Sequence, residues 1–336
     1  MRRAHTVTLA GALVILLTLS INASPDASAQ TMPDQCGHAT RVGGAESPLP
    51  VPVLFVHGFS GSPRDFSHRR DAAPSMLQAV EALGGVAVYT FDYSGRASHW
   101  VTDQSIGPAL ARSIHCLALA SGRKVVVIAH SMGGLATRLA QGQVVGGHAV
   151  SESLARVVTI GTPTRGVILL SFTNNGAASR VVQAAVDAVG KACGKPAETN
   201  KPRARLCELL DAANAPAVTA MAPGSRQLAA LPAWGAGLIV HPIAANLRLR
   251  ISVFGVGTTV SLGDIVATVS SATADASPGE HALEVRCRVE LDNLINVVDQ
   301  STCSHANEVS NHRIINAVVA QVLAAVRQPE KRSLSV

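Results

Sequence analysis

A single serine lies where the sequence changes from the pattern of a buried strand to the pattern of a helix. Residues 124–140 read KVVVIAHSMGGLATRLA, and the four β-branched residues at 125–128 are typical of a buried strand. Apolar residues then recur at helical spacing, after a glycine-rich corner that carries Ser131. A sharp strand-to-helix turn pushes a serine hydroxyl out of the sheet, above the N-terminus of the helix. Ser131 is therefore a candidate nucleophile for acyl transfer through a covalent intermediate.

The corner AHSMGG (129–134) has alanine in place of the first glycine of the pattern G-x-S-x-G. On this segment, and on the segments HGF (57–59) and GTP (161–163), the chain resembles the serine lipases and esterases of the α/β-hydrolase fold. The resemblance covers roughly residues 51–326 and implies a triad in the chain order serine, acid, histidine. The competing interpretation of the corner alone is a turn in another α/β protein, with a serine that only caps the helix.

The resemblance implies that Asp264 is the acid that orients the base. Asp264 lies in SLGDIV (261–266), where a glycine and the following apolar residues would hold a carboxylate at a strand end, partly shielded from water. This context is similar to that of the family's acid. Asp275, Asp292 and Asp299 are alternatives in weaker contexts, and a solvated turn is the competing interpretation of Asp264.

The resemblance implies that His305 is the base, since it lies on a loop just before the last predicted helix. The neighbouring Cys303 would pin this loop. His312 is the rival, but it starts the helix and fits a surface or capping residue better. His57 and His130 precede the serine, against the implied order, and His130 is predicted to be a packing residue.

An oxyanion that develops during acyl transfer needs backbone N–H donors. One candidate donor is the N–H of Met132, which directly follows the serine at the start of the helix. The resemblance implies the N–H of Phe59, in the HGF segment, as the second. Both would act through the backbone, so replacing their side chains should matter less than replacing Ser131.

Alternating strands and helices must position these groups. The predicted strands are 51–56, 86–91, 125–128, 156–160, 247–254 and 283–289, and the predicted helices are 72–83, 106–120, 132–140 and 313–326. This alternation predicts the α/β class, specifically an α/β-hydrolase fold with a mostly parallel central sheet flanked by helices. Chemistry in such sheets lies at the carboxyl ends of strands, where the HGF, AHSMGG and GTP segments all occur.

Residues 164–246 interrupt this alternation with recurring prolines and an amphipathic segment at 177–189. The family carries a cap or lid at this point, so we expect either a cap over the pocket or a long structural excursion without a gating role. The predicted organisation is a signal peptide at 1–29 and a catalytic domain at 30–336 that includes this cap or lid insertion.

The N-terminus is typical of an export signal. Two arginines at 2–3 precede an apolar run at 9–19, and a small-x-small cleavage pattern ends at Ala29. Cleavage is predicted after Ala29, with Ala23 as the second choice, and the protein is predicted to be secreted. The alternative is an uncleaved anchor, since residues 6–23 could nearly span a bilayer.

Six cysteines lie outside the export segment, and an even number in an exported protein predicts disulfides. Six cysteines allow 15 connectivities, and the sequence cannot select one of them. Proximity favours Cys193–Cys207 and Cys287–Cys303, which leaves Cys36–Cys116. The spacings lack the C-x-x-C pattern of a zinc site, so neither a metal nor another cofactor is expected.

The composition is that of a globular protein, with 15% charged and 3% aromatic residues among 336 and a formal net charge of +6. Lysines and arginines are scattered, with no long basic run and no nucleic-acid-binding motif, so nucleic acid is not expected as a partner. The charge is compatible with mild attraction to acidic membrane or wall surfaces, and an ordinary solvated basic surface is the simpler interpretation.

These features predict an exported serine ester hydrolase of the lipase or esterase type, acting on carboxylic esters through an acyl-enzyme. Lipid-like or medium-chain esters are the favoured substrates, with transient contact to a lipid surface. An acyltransferase on the same fold and a catalytically inactive surface-binding protein are the alternatives. Product analysis with an added acceptor would identify the first, and failure to react with a fluorophosphonate would identify the second.

Overall fold

The computed structural model describes residues 32–44, 50–69, 72–167, 215–253, 256–290 and 301–328. The strands are β1 (Gln35–Cys36), β2 (Ala39–Gly44), β3 (Val51–Val56), β4 (Val86–Phe91), β5 (Val125–His130), β6 (Val144–Val145), β7 (His148–Ala149), β8 (Leu154–Ile160), β9 (Ile239–Val253), β10 (Val256–Ser261) and β11 (Leu283–Glu290). The helices are α1 (Met76–Glu81), α2 (Gly107–Ser121), α3 (Met132–Gln141), α4 (Pro216–Ala220), α5 (Arg226–Ala229), α6 (Val269–Ala272) and α7 (His312–Arg327).

Nine of these strands form one sheet, in the order β1-β2-β4-β3-β5-β8-β9-β10, with β11 also paired to β9. The pairs that join β4, β3, β5, β8, β9 and β11 are all parallel. The pairs of β2 with β4 and of β10 with β9 are antiparallel. The predicted α/β-hydrolase fold, with a mostly parallel sheet flanked by helices, is confirmed.

The strand β5 is buried on both faces, which explains its unbroken apolar sequence. Val125 and Val127 belong to the apolar cluster that includes α2 and α3, whereas Val126 and Ile128 belong to the cluster that includes α1 and α7. Successive side chains of a strand point to opposite faces, so helices on both faces require apolar residues at every position. This packing fixes the strand that ends directly before Ser131.

The strand β9 decides where the last segments of the chain meet the sheet. It pairs with β8 over its first residues, continues past the end of β8, and then turns back as β10. Since Ile243 is the partner of residues in both β8 and β11, β11 lies along the other edge of β9. Because β10 runs back along β9, it brings the chain to the carboxyl end of β8. There the N–H of Leu247 in β9 donates to the carbonyl oxygen of Gly263, just after β10.

One strand prediction needs correction, and one strand was missed. The strand predicted at 247–254 begins at Ile239, and the strand at 256–261 was not predicted. Residues 239–243 pair with β8 inside the sheet, where burial on both faces removes the alternation expected of a strand. Pro242 further conceals the strand, because proline is uncommon away from sheet edges. The predicted insertion at 164–246 therefore extends no further than Leu238, and its residues 168–214 lie outside the described part of the chain.

The other predicted elements agree closely with the structure. The strands at 51–56 and 86–91 have the predicted bounds. The helix predicted at 72–83 is shorter, spanning Met76–Glu81, and begins at an N-cap, Ser75, whose side chain accepts the N–H of Gln78. Among the described residues, no helix combines the length and the apolar character needed to cross a membrane.

Two disulfides join distant elements. Cys36 in β1 is bonded to Cys116 in α2, and Cys287 in β11 is bonded to Cys303 in the loop that precedes α7. Both pairs match those favoured by the sequence. The third predicted pair, Cys193–Cys207, and the predicted signal peptide lie outside the described residues.

Candidate active site

Ser131 occupies a strained turn between β5 and α3. It is the N-cap residue of α3, with φ 54° and ψ −128°, a backbone conformation that residues other than glycine rarely adopt. Tight packing holds the turn, because a Cβ added at Gly133 would lie 2.5 Å from the carbonyl oxygen of His57, and one added at Gly134 would overlap Thr162. The small residues after the serine are therefore required by the close approach of the neighbouring strands.

Three side chains from separate parts of the chain form a hydrogen-bonded series. Nε2 of His305 lies 2.7 Å from Oγ of Ser131, and Nδ1 of His305 lies 2.8 Å from Oδ2 of Asp264. A carboxylate oxygen can only accept, so Nδ1 of His305 carries a hydrogen and Nε2 is free to accept one from the serine. The imidazole of His305 is 15% exposed, whereas the carboxyl group of Asp264 is buried.

The carboxylate of Asp264 is oriented by its own turn. Its Oδ1 accepts the backbone N–H groups of Val266 at 2.8 Å and Ala267 at 2.6 Å, which leaves Oδ2 directed at His305. Gly263, which precedes it, has φ 62°, a conformation that favours glycine. The turn after β10 thus presents one defined oxygen to the imidazole.

The HGF turn lies directly against the serine. A Cβ added at Gly58 would lie 2.7 Å from Cβ of Ser131, so only glycine fits between them, and Phe59 follows. Tyr93, two residues after β4, holds this turn by donating its hydroxyl to the carbonyl of His57 at 2.6 Å and by stacking on the His57 ring at 3.9 Å. Burial raises the pKa of Tyr93, which keeps that hydroxyl a donor. The sequence analysis did not identify Tyr93.

Met132, whose N–H is the other predicted donor, directly follows the serine. Met132 is the first residue of α3 and is fully buried. The first N–H groups of a helix have no partner within the helix and favour negative charge. The two predicted oxyanion donors, at Met132 and Phe59, therefore belong to two turns that both adjoin Ser131.

A second carboxyl group, that of Glu308, lies beside His305. Oε1 of Glu308 is 3.4 Å from Nδ1 of His305 and 3.1 Å from Nε2 of His130, and the side chain is fully buried. Burial, and then the negative charge of Asp264, raise the pKa of Glu308 well above its ordinary value, against a weaker effect of the Ala245 backbone N–H. The environment thus favours the neutral, protonated form of this carboxyl group.

Neither Glu308 nor His130 was among the predicted site residues. The available signal for Glu308 was its position three residues after His305, just before the last helix. His130 was predicted to pack, and it is buried, but its Nε2 also lies 3.0 Å from the carbonyl oxygen of His305. It is therefore both a packing residue and a hydrogen-bonding one.

The GTP segment makes room for both carboxyl groups. Gly161 follows β8 with φ 55°, and a Cβ there would overlap the carboxyl group of Glu308 and lie 2.9 Å from Oδ2 of Asp264. The next residue, Thr162, donates its hydroxyl to the carbonyl oxygen of Ser131 at 3.1 Å. This segment thereby joins the end of β8 to the serine turn.

The alternative residues lie elsewhere or are not described. His312 is the exposed first residue of α7, after the N-cap Asn311. Asp275 lies 3.2 Å from the hydroxyl of Thr164 and 3.7 Å from Nη1 of Arg138. Asp292 and Asp299 lie outside the described residues.

One group of side chains among the described residues has metal-ligand chemistry at short range. Ligand atoms of His130, His305 and Glu308 all lie within 4.8 Å of one another. Nε2 of His130 and Oε1 of Glu308 lie at hydrogen-bond distance, and His305 is engaged by Ser131 and Asp264. Hydrogen bonding therefore accounts for the closeness of these groups without an ion.

Comparisons with known proteins concern the whole fold. A family model described as "Alpha/beta hydrolase family" matches residues 53–287. The mature form of the Bacillus licheniformis lipase BlEst2 is similar in structure, with a TM-score of 0.52 and 17% identity over 86% of this chain and 99% of that chain. A monoacylglycerol lipase from Paleococcus ferrophilus has a TM-score of 0.43 and 10% identity over 85% of this chain and 98% of that chain. At 17% identity the likeness to the BlEst2 lipase concerns the fold alone.

Proposed function

Because this chain belongs to the alpha/beta hydrolase family, we propose that it is a serine ester hydrolase of the lipase or esterase type. The observation that carries this proposal is the hydrogen-bonded series from Ser131 through His305 to Asp264, with distances of 2.7 and 2.8 Å. A serine hydroxyl is a weak nucleophile at neutral pH, and such a series supplies both the base and the group that orients it.

In the proposed acylation step, Oγ of Ser131 attacks the carbonyl carbon of the ester while Nε2 of His305 takes its proton. Asp264 keeps the hydrogen of His305 on Nδ1 and stabilises the imidazolium that forms. The oxyanion is stabilised by the backbone N–H groups of Met132 and Phe59. His305 then protonates the leaving alcohol as the carbon–oxygen bond breaks, which leaves an acyl group on Ser131.

In the proposed deacylation step, His305 takes a proton from a water molecule whose oxygen attacks the acyl carbon. The second tetrahedral intermediate collapses, its bond to Oγ breaks, and His305 returns the proton to Ser131. The carboxylic acid leaves and the resting state is restored. The backbone donors serve both steps, because the oxyanion develops on the same oxygen each time.

The proposed substrates are carboxylic esters with lipid-like acyl groups, and the protein is proposed to be exported with cleavage after Ala29. The disulfides Cys36–Cys116 and Cys287–Cys303 support export, because structural disulfides persist mainly in oxidising compartments. Intact-mass measurement of the protein from culture medium tests the cleavage site. A mass that corresponds to a chain starting at Met1 would contradict the proposed cleavage.

The deciding experiment combines a fluorophosphonate probe with p-nitrophenyl esters of short, medium and long acyl chains. We expect the native protein to be labelled and to hydrolyse these esters, and Ser131→Ala to fold normally but do neither. Ser98→Ala, which replaces an exposed serine, is the matched control and should behave as the native protein. Labelling or turnover by Ser131→Ala would overturn the proposal, as would a native protein that neither reacts with the probe nor hydrolyses any ester.

The same experiment separates hydrolysis from acyl transfer. If an added alcohol acceptor becomes the main acyl product at the expense of the free acid, the protein is an acyltransferase that uses the same acyl-enzyme. We expect the free acid to remain the main product.

A further inference from the structure

One ring N–H of His130 faces two acceptors. Nε2 of His130 lies 3.0 Å from the carbonyl oxygen of His305 and 3.1 Å from Oε1 of Glu308. A carbonyl oxygen can only accept a hydrogen bond, so Nε2 of His130 must carry the hydrogen. The side chain is 7% exposed, so the shared hydrogen bond is largely shielded from water. The geometry thus assigns the tautomer of His130.

The peptide groups on both sides of His305 are held by the segments that carry its partners. The N–H of His305 donates to the carbonyl oxygen of Asp264 at 3.0 Å, and its C=O accepts from His130, the residue directly before Ser131. The rings of His130 and His305 also pack against each other, with centroids 4.8 Å apart. His130 is therefore the link between the serine turn and the loop that carries the proposed base.

We propose that His130 is a positioning residue for the acyl transfer proposed above: its Nε2–H holds the main chain of His305 so that the imidazole stays aligned with Oγ of Ser131. This inference rests on the proposed roles of Ser131 and His305. Small displacements of a reacting group are costly, and about 1 Å can reduce a rate about 100-fold. The loop that carries His305, here called the base loop, has other anchors. Removing the His130 donor should therefore lower kcat less than removing the hydroxyl of Ser131.

The contact with Glu308 gives His130 a second task. Oε1 of Glu308 lies 3.4 Å from Nδ1 of His305, the same nitrogen that Asp264 accepts from at 2.8 Å. The N–H of His130 donates to Oε1 of Glu308 and so holds that oxygen 3.4 Å from Nδ1 of His305. Asp264 then remains the main acceptor for Nδ1. An apolar residue at position 130 could fill the space but could not hold either acceptor.

Two substitutions distinguish positioning from simple packing. His130→Leu fills the space with an apolar side chain of similar size and removes the donor, whereas His130→Gln can place an amide N–H where Nε2 lies. We expect His130→Leu to lower kcat for a p-nitrophenyl ester about 10- to 100-fold with little change in KM, and His130→Gln to recover most of the loss. Melting temperature and circular dichroism of both variants show whether they fold.

The outcomes separate this inference from the proposed function. A native enzyme that hydrolyses esters, with His130→Leu equal to it, would overturn the positioning role and leave the function standing. A loss in His130→Gln as large as in His130→Leu would also overturn it, because packing alone predicts no rescue. Nitrogen-15 NMR of the histidine-labelled protein adds a readout that needs no activity: His130 should carry a hydrogen on Nε2, and hydrogen on Nδ1 alone would contradict the proposal.

Discussion

Asp264 and His305 are joined twice, once through their side chains and once through their main chains. Oδ2 of Asp264 lies 2.8 Å from Nδ1 of His305, and the carbonyl oxygen of Asp264 accepts the N–H of His305 at 3.0 Å. The first contact sets the tautomer and direction of the ring, and the second fixes the loop that carries it. A side-chain substitution at position 264 therefore changes the first contact and leaves the second.

Asp264→Asn should lower kcat strongly while the fold is retained. An asparagine carries no negative charge, and its oxygen would accept the two backbone N–H groups, so its NH₂ group would face Nδ1 of His305. The ring hydrogen would then lie on Nε2, and the imidazole could not accept the proton of Ser131. We expect a fall in kcat on the order of 10⁴-fold, measured with a p-nitrophenyl ester. Asp275→Asn, at the alternative aspartate, is the control and should remain active. If Asp275→Asn lost activity and Asp264→Asn kept it, Asp275 would be the acid that orients His305.

Gly161→Ala should reduce both stability and kcat, because the added Cβ meets the carboxyl groups of Asp264 and Glu308 beside His305. The matched variant is Gly122→Ala, since Gly122 has φ 62° and Gly161 has φ 55°, and a Cβ at Gly122 would meet nothing within 4 Å. Both variants have the backbone strain of about 1–2 kcal/mol expected for alanine in this conformation. We expect urea unfolding to show a larger loss for Gly161→Ala, and only this variant to have a lower kcat. Equal losses would mean that strain alone matters at position 161.

Glu308→Gln should change how stability depends on pH. The pKa of Glu308 is raised well above 4.5 by burial and by the charge of Asp264, so the folded state retains a proton that the unfolded chain releases. The stabilisation from that proton is complete below the unfolded pKa and is lost as the pH rises through the folded pKa. The variant does not titrate at this position, so relative to the native protein it should become more stable as the pH rises.

Urea unfolding from about pH 4 to about pH 9 measures this difference. Glu152→Gln, at an exposed glutamate, is the control and should follow the native protein across the range. If Glu308→Gln instead lost stability relative to the native protein with rising pH, Glu308 would be a carboxylate in the folded state and its proposed neutral form would be wrong.

The two described disulfides should differ in what their removal costs. Cys36 and Cys116 are 80 residues apart, and Cys287 and Cys303 are 16 apart, so the longer loop should lose more stability when the bond is removed. Replacing both cysteines of a pair by serine should cost about 4–5 kcal/mol for the first pair and about 3 kcal/mol for the second in urea unfolding. The reverse ranking would show that native-state interactions outweigh loop entropy here.

The disulfide that contributes less to stability should be the one whose removal lowers kcat. Cys303 is two residues before His305, so opening Cys287–Cys303 should loosen the base loop and lower kcat under conditions where the protein is still folded. Opening Cys36–Cys116, which joins β1 to α2, should leave kcat unchanged under the same conditions. An unchanged kcat in both double variants would contradict the predicted pinning of the loop by Cys303.

Local patterns in the sequence predicted much of the fold. The β-branched run before Ser131, the strands at 51–56 and 86–91, and the helices after them can be recognised from neighbouring residues, because the spacing of apolar residues shows which faces of an element are buried. The same patterns failed at β9, because burial on both faces removed the alternation and Pro242 is unusual in a strand.

The surroundings of His305 could not be predicted from these patterns. His130 and Glu308 are an ordinary buried histidine and an ordinary glutamate in the sequence, and their contact spans 178 residues of chain. Glu308 acquires its raised pKa only because the folded sheet buries it beside Asp264. The pKa of a group depends on its burial and on the charges around it, and both are set only when the chain folds.

The sequence by itself determined the α/β class, the sharp turn at Ser131 and the residue types that could serve it. Only the tertiary structure decided that β10 returns to the end of β8, and that Asp264 and Glu308 consequently share one side of His305. The physical reason is that Ser131 and His305 are 174 residues apart, so the distance between them is set by the path of the whole sheet and not by any local preference.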